Sequence, residues 1–155
     1  MAPNDMTLSR RGVLATAGGL AFALSLKVGP GDAAAQSAPA GRIGTWVGIA
    51  TDGTITIQAP AAEMGQGVQT IVPLILAEEM DADWSKVRVE TAPVAEAFNN
   101  PVFRGQFTVA SLTVKGYWMP ARLAGAQVRR VLIEAAAERW GVAPEALRTE
   151  PSVVV

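Results

Sequence analysis

The alternation of apolar and polar positions predicts a β-hairpin in the first half of the chain. Two alternating runs within residues 45–57 flank Asp52-Gly53, a dipeptide typical of tight hairpin turns. The spacing changes to that of an apolar helix over residues 70–80 and returns to alternation over residues 87–90. We therefore expect a hairpin, a short helix and a further, half-buried strand, in that order.

A second, longer helix is predicted over residues 111–140, with Gly141 ending it. Pro120 is expected to kink or divide this helix, whereas Pro73 is expected in the first turn of the shorter helix, where its missing N–H costs nothing. The packing face of the long helix consists of Val114, Trp118, Ala121, Gly125, Val128, Leu132 and Ala136. The predicted fold class is α+β, a small mixed domain.

The N-terminus has the pattern of an export signal. Arg10-Arg11 precedes an apolar, Gly- and Ala-rich run at residues 13–26, which is typical of twin-arginine signals. The run is shorter than the ~20 residues that span a bilayer, so no permanent membrane span is predicted, although an uncleaved anchor stays an alternative. The predicted location is the periplasm. The predicted division is a signal peptide at 1–35, a flexible linker at 36–43 and a mature domain at 44–155.

Composition excludes several classes of function. A net charge of −1 without a basic patch argues against a nucleic-acid partner. The absence of histidine excludes a Ser-His-Asp triad and histidine-ligated metal sites. The absence of cysteine excludes disulfides and any iron–sulfur cluster carried by this chain. Electron transfer through iron–sulfur centres would therefore require a partner.

The segment Gly65-Gln66-Gly67, at a predicted strand-to-helix junction, is a candidate anion site. Glycines at a helix N-terminus leave backbone N–H groups open to an oxyanion or phosphate, and the Gln66 amide both donates and accepts. An ordinary two-glycine turn stays an equal alternative. A second helix N-terminus follows Thr108-Val109-Ala110-Ser111, and the two would form a phosphate cradle if they converged. The hydroxyls available to that cradle are those of Thr108, Ser111 and Thr113.

Two neighbouring side chains have simpler interpretations. Ser111 is at least as well placed to cap the long helix as to contact a ligand. Glu63 is expected to be a solvated carboxylate beside a turn rather than a catalytic base.

Several spaced motifs agree in order with one family. They are Glu63-Met64-Gly65-Gln66-Gly67, the run at 74–93, Asn100-Pro101-Val102-Phe103 and the run at 106–113. Together they resemble the molybdopterin-binding subunit of the xanthine dehydrogenase family of molybdenum hydroxylases, and most of all its exported branch with the isoquinoline 1-oxidoreductase beta subunits. The expected domain is then part of a larger molybdopterin-binding domain.

The resemblance implies a set of site residues. It places Gln66 near the oxo ligand of the metal, as the catalytic contact. The exported branch usually has two small residues before the serine, so Val109 at the first of these positions is expected to crowd the cofactor. The implied cofactor is molybdopterin, in its cytosine dinucleotide form. The expected cofactor-binding residues are Met64, Gly65, Gln66, Gly67, Thr108, Ala110, Ser111 and Thr113.

The resemblance also implies a reaction. The family hydroxylates N-heterocycles or aldehydes with oxygen from water and passes electrons to a small subunit carrying [2Fe–2S] clusters. Its large subunits are several times longer, and their glutamate base lies in a region expected beyond Val155. We expect this chain to be an N-terminal portion, inactive alone. The alternatives are a secreted non-catalytic binding module or the product of a truncated gene, which would expose an apolar face around Trp118 and Val128.

Overall fold

The structure is a computed structural model that describes residues 8–9 and 42–155. Its α-helices are α1 (Val68–Glu79) and α2 (Thr113–Trp140). Its strands are β1 (Leu8–Ser9), β2 (Arg42–Ile43), β3 (Val47–Ile49), β4 (Ile55–Ala59), β5 (Val87–Thr91), β6 (Thr149–Glu150) and β7 (Val153–Val154). The order of hairpin, short helix, strand and long helix confirms the predicted α+β fold.

The predicted hairpin is formed by β3 and β4. The two strands pair antiparallel, with Val47 opposite Ile57. Gly53 adopts a left-handed φ of 89° in the turn, which a residue without a Cβ tolerates best. The Asp52 carboxylate accepts the N–H of Thr54 at 2.9 Å and so closes the turn. The Asp-Gly sequence therefore fixes the register that buries alternate residues of both strands.

Strand β5 lies parallel to β4, and α1 is the connection between them. Ile55 is opposite Val87 in this ladder, and β5 is the edge of a sheet with the order β2-β3-β4-β5. The prediction that this strand is half-buried is wrong, because Val87 is partly buried but every following residue of β5 is exposed. An edge strand has a neighbour on one side only, which reduces the surface it can bury.

Helices α1 and α2 pack together on the hairpin strands to form the core. The buried apolar side chains of the sheet alternate along β3 and β4, and those of α1 and α2 recur at helical spacing. The principal members are Val47, Ile49, Ile55, Ile57, Val68, Val72, Leu76, Tyr117, Ala121, Val128, Leu132 and Ala136.

Three predictions about the helices need correction. Of the two effects predicted for Pro120, division of the helix does not occur, because α2 runs uninterrupted from Thr113 to Trp140 with Pro120 inside it. Helix α1 starts at Val68, earlier than predicted, so Pro73 lies in its second turn rather than its first. Trp118 is 46% exposed and does not belong to the buried face, whereas Val128 does. The Trp118 ring instead lies beneath the Arg122 guanidinium, 5.8 Å from the ring centroid.

The predicted signal and linker fall almost entirely outside the described residues. Within the signal, Leu8–Ser9 form β1, which pairs antiparallel with β7. Strand β7 also pairs antiparallel with β6. In the part of the chain that the structure describes, no helix combines the length and apolarity needed to cross a membrane. The boundaries at 35 and 43 stay predictions.

The contact between the two helices depends on Gly125. A Cβ at this position would overlap the Leu76 carbonyl oxygen and press on the Glu79 side chain. One helix turn away, Arg122 forms an ion pair with Glu79. The glycine thus allows the backbones to approach closely, and the ion pair lies at the solvent edge of the contact.

Replacing Gly125 with alanine should lower the free energy of unfolding. Helix propensity alone would raise it by ~1 kcal/mol, but the new Cβ overlaps a backbone atom that cannot rotate away, so we expect a net loss of about 1–3 kcal/mol. Urea denaturation measures the change. The exposed Gln127→Ala on the same helix is the control and should change little. A Gly125→Ala protein as stable as this control would contradict the close approach.

Candidate functional site

The turn before α1 is closed by the carboxylate of Glu63. One carboxylate oxygen, Oε1, accepts the N–H groups of Gly65 at 2.8 Å and Gly67 at 2.9 Å. The other, Oε2, accepts the N–H of Gln69 at 3.0 Å. The backbone donors that the sequence offered to an external anion are thus already occupied by an anion of the same loop.

These hydrogen bonds lower the pKa of Glu63. The N–H of Gln69 has the largest effect and that of Gly67 the next, while partial desolvation acts in the opposite direction. Donors at the start of a helix stabilise the charged form, because the helix dipole is positive there. Glu63 is solvent-exposed, as expected, and its carboxylate accepts three backbone N–H groups; because a lowered pKa makes a carboxylate a weaker base, Glu63 is a poor candidate for a catalytic base.

The side chain of Gln66 folds back on the same loop. Its Oε1 accepts the N–H of Met64 at 2.7 Å, and its Nε2 donates to the Ala62 carbonyl at 2.9 Å. Each end of the amide keeps further capacity, because the oxygen has a second lone pair and the nitrogen a second hydrogen. The Met64 side chain is 73% exposed. The loop therefore presents a thioether and one oriented amide to solvent.

The second predicted motif lies against this loop. The Thr108 hydroxyl donates to the Ala62 carbonyl at 2.9 Å, the same oxygen that accepts from Gln66. Residues 62–67 and the stretch that leads into α2 are thus brought together, which is the condition for the two helix N-termini to contribute to one site. We call residues 62–67 the glutamine loop and residues 108–113 the serine strip.

The serine strip has an unusual backbone. Ala110 and Ser111 have φ values of 54° and 55°, a left-handed region that residues with a Cβ rarely occupy. Ser111 is not the cap of α2, because Leu112 holds the N-cap position and its side chain makes no capping hydrogen bond. Ala110, Ser111 and Val109 are exposed. Thr113, the first residue of α2, is only 6% exposed.

Two amide residues that the sequence analysis missed hold the loops of the site. Gln106 Nε2 donates to the carbonyls of Pro60 and Pro93 at 3.1 and 3.2 Å, and its Oε1 accepts the N–H of Ala95 at 2.9 Å. Asn100 is fully buried and lies against Gly116 of α2. Both belong to motifs carried by the resemblance, but no local pattern indicates which distant carbonyls they reach.

The described residues contain no cluster of three or more acidic, histidine or cysteine side chains suited to a metal ion. What the site offers is neutral: the Gln66 amide, the Met64 thioether, the Thr108 hydroxyl and the backbone of the serine strip. Such groups suit the hydrogen-bonding edge of a heterocycle better than they suit a bare cation.

The lowered pKa of Glu63 should make stability depend on pH. Its folded pKa lies below the ordinary 4.5, so the ionised carboxylate stabilises the fold above that value, and the contribution is lost as the pH falls through the folded pKa. We expect Glu63→Gln to lower the melting temperature at neutral pH, with a difference from the native protein that shrinks on acidification. Glu78→Gln, an exposed carboxylate at the other end of α1, is the control. A difference that grows in acid would contradict the assignment.

Glycine at position 110 should stabilise the protein. The left-handed conformation costs a residue with a Cβ ~1–2 kcal/mol, and glycine avoids this cost. Because glycine also makes the unfolded chain more flexible, part of that gain is lost, and Ala110→Gly should raise the free energy of unfolding by about 0.5–1 kcal/mol. Chemical denaturation measures the gain. Ala95 is exposed and extended, with φ −157°, so Ala95→Gly should show no gain. Equal effects at both positions would argue against a strained strip.

Comparisons with known proteins identify the family. The family model described as molybdopterin cofactor-binding domain matches residues 9–155. The beta subunit of the isoquinoline 1-oxidoreductase of Brevundimonas diminuta is 41% identical over 160 residues, which is 99% of this chain and 20% of the relative. A membrane-bound aldehyde dehydrogenase [pyrroloquinoline-quinone] of Gluconacetobacter polyoxogenes is 34% identical over 96% of this chain and 19% of the relative.

A third relative is a subunit of the nicotinate dehydrogenase of Pseudomonas putida, 31% identical over 71% of this chain and 9% of its own length. The chain thus spans about one fifth or less of the curated relatives it matches. The matched family model covers almost the whole chain, and the expectation drawn from the spaced motifs is confirmed. The chain belongs to the molybdopterin cofactor-binding domain family of xanthine dehydrogenase-type oxidoreductases.

Proposed function

We propose that this chain is the N-terminal part of the large subunit of a molybdenum hydroxylase, in which the glutamine loop and the serine strip form one wall of the molybdopterin site. The observation that carries the proposal is the shared Ala62 carbonyl, which accepts hydrogen bonds from both Gln66 and Thr108. Two motifs separated by about forty residues of chain are thereby held side by side, as a common ligand would require.

The exposed groups fit the cofactor in part. Gln66 keeps one donor and one acceptor position, and the serine strip exposes its backbone, so both can bind the donor and acceptor edge of a pterin. The Gly65 and Gly67 N–H groups do not fit its phosphate, since Glu63 occupies them. The N-terminus of α2, which carries no cap from its Leu112 side chain, is the better donor set for that phosphate.

The bound metal centre supplies the two-electron oxidation of the substrate. This chain's share is binding and orientation: Gln66 is fixed at both ends of its amide and so presents its remaining hydrogen to the cofactor in one direction. Met64 beside it offers an exposed apolar side chain that would shield the bound cofactor from water. Met64, Gly65, Gln66, Gly67, Thr108, Ala110 and Ser111 are the proposed contacts, and the buried Thr113 contributes through its backbone.

The finer details are also proposals. The names of the relatives mention isoquinoline, an aldehyde and nicotinate, which supports an N-heterocycle or an aldehyde as the substrate. Two of those names denote subunits, which supports a multi-subunit enzyme. The chain has no cysteine, so we propose that electrons pass to an iron–sulfur subunit with [2Fe–2S] clusters. We also propose the cytosine dinucleotide form of the cofactor.

Immunocapture from the native cells tests the function. With antibodies against residues 42–155, we expect a captured polypeptide several times heavier than 16.1 kDa, with pterin and molybdenum in equal amounts. Pterin is measured by the fluorescence of its oxidised form and molybdenum by elemental analysis, with pre-immune serum as the control. A captured protein that contains neither would overturn the proposal and favour a binding module without a cofactor.

Export through the twin-arginine pathway is proposed from Arg10-Arg11 and the apolar run that follows. Residues 1–43 fused to a reporter that is active only after folded export should deliver the reporter to the periplasm. Replacing both arginines with lysine keeps the charge but should abolish delivery. Delivery of the lysine variant at the native level would contradict this pathway.

A further inference from the structure

The glutamine loop contains a helix N-terminus whose donors are satisfied from within. Three backbone N–H groups, those of Gly65, Gly67 and Gln69, point to the two oxygens of one carboxylate at 2.8–3.0 Å. A fourth, that of Met64, is taken by Gln66. These donors, which could otherwise bind an external oxyanion, are therefore hydrogen-bonded to the side chains of Glu63 and Gln66.

We propose that Glu63 is a positioning residue. Its carboxylate occupies the cradle of α1, by which we mean the backbone N–H groups of Gly65, Gly67 and Gln69, and so excludes phosphate from them. It also fixes the turn that presents Met64 and Gln66. The presentation of these side chains to the pterin rests on the proposed function. The occupation of the cradle and the exclusion of phosphate do not.

The positions of the three N–H donors along the chain explain why residue 63 is a glutamate. The donors lie two, four and six residues after Glu63, so the carboxylate must bridge the turn and reach the first turn of α1. Both Gly65 and Gly67 have positive φ, at 96° and 81°, which turns their N–H groups toward the same side. The glycines thus serve an internal anion, and their presence does not by itself indicate a ligand phosphate.

A filled cradle changes what the loop can recognise. A phosphate at the same donors would displace the carboxylate or meet its negative charge at short range, and both are unfavourable. Besides the exposed carboxylate itself, the groups that face solvent are the Met64 side chain and the second donor and acceptor positions of Gln66. The loop therefore suits a neutral, hydrogen-bonding surface.

Glu63 also acts on Gln66 through the backbone. The Gln66 amide bonds to Met64 N–H and to the Ala62 carbonyl, which flank Glu63 on both sides. If the turn opens, both partners of the amide move. The orientation of Gln66 should therefore depend on a carboxylate that it does not itself contact through its side chain.

Amide NMR on the 155-residue chain tests the proposal without any cofactor. Titration of the native protein with inorganic phosphate should leave the Gly65, Gly67 and Gln69 resonances unchanged. Glu63→Ala should exchange these three amides several-fold faster, and phosphate or acetate should then shift them saturably and raise the melting temperature. A saturable phosphate shift at these amides in the native protein would overturn the exclusion.

Two further variants separate positioning from general stability. Glu63→Gln keeps one carbonyl oxygen for Gly65 and Gly67 but places an NH₂ group opposite the Gln69 N–H, so protection should be lost at Gln69 alone. Glu78→Ala removes a charge from the same helix and should change none of the three amides. In Glu63→Ala, the Gln66 side-chain amide should move to the averaged shifts of a free glutamine.

Unchanged Gln66 side-chain resonances in Glu63→Ala would overturn the positioning role. Should that variant fail to fold, the native titration and Glu63→Gln decide the question alone. The immunocapture described above tests cofactor content independently. A protein that holds pterin but binds phosphate at Gly65 and Gly67 would refute this inference and leave the proposed function intact.

Discussion

The close contact of α1 with α2 at Gly125 is the constraint on which the arrangement of the site depends. Leu76 and Glu79, near the end of α1, touch Gly125 about midway along α2. At the other end, the Ala62 carbonyl before α1 accepts from Thr108 before α2. The two helices therefore run in the same general direction, and their N-termini open on one side of the domain. The glutamine loop and the serine strip are therefore adjacent because each one leads into a helix and the two helices pack side by side.

Buried polar groups hold the long segment between β5 and α2 in place. Tyr117 of α2 donates its hydroxyl to the Phe98 carbonyl at 2.7 Å, and burial raises the pKa of that hydroxyl to about 12. Asn100 accepts the N–H of Val102 and lies against Gly116. Since a buried donor or acceptor without a partner is costly, these bonds specify one path for the loop. The serine strip can then keep its strained backbone at a fixed place.

The two helix N-termini of the site differ in whether a side chain of the protein occupies their N–H groups. Glu63 fills the first with its own charge, whereas no capping side chain at Leu112 serves the second. A ligand that spans both would meet the side chains of Met64 and Gln66 at the glutamine loop and the positive end of the α2 dipole at the serine strip. This division underlies the proposal that a neutral heterocycle binds at the glutamine loop and a phosphate at the N-terminus of α2.

By itself, the sequence determined the hairpin, both helices and the family, because each depends on short-range patterns or on motifs in fixed order. Asp52-Gly53 defines its turn locally, and Gly141 ends α2 with a left-handed φ of 67° as predicted. The glutamine loop and the serine strip were likewise identified from their residues.

Tertiary structure alone decided which donors of those motifs are available. The carboxylate of Glu63 competes for Gly65 and Gly67 only once the turn has formed, and Trp118 is exposed although its helical spacing groups it with the buried residues of α2. The exposure of β5 follows from its place at the sheet edge, which its own alternation cannot show. Such features depend on contacts between segments far apart in the chain, and no local pattern encodes them.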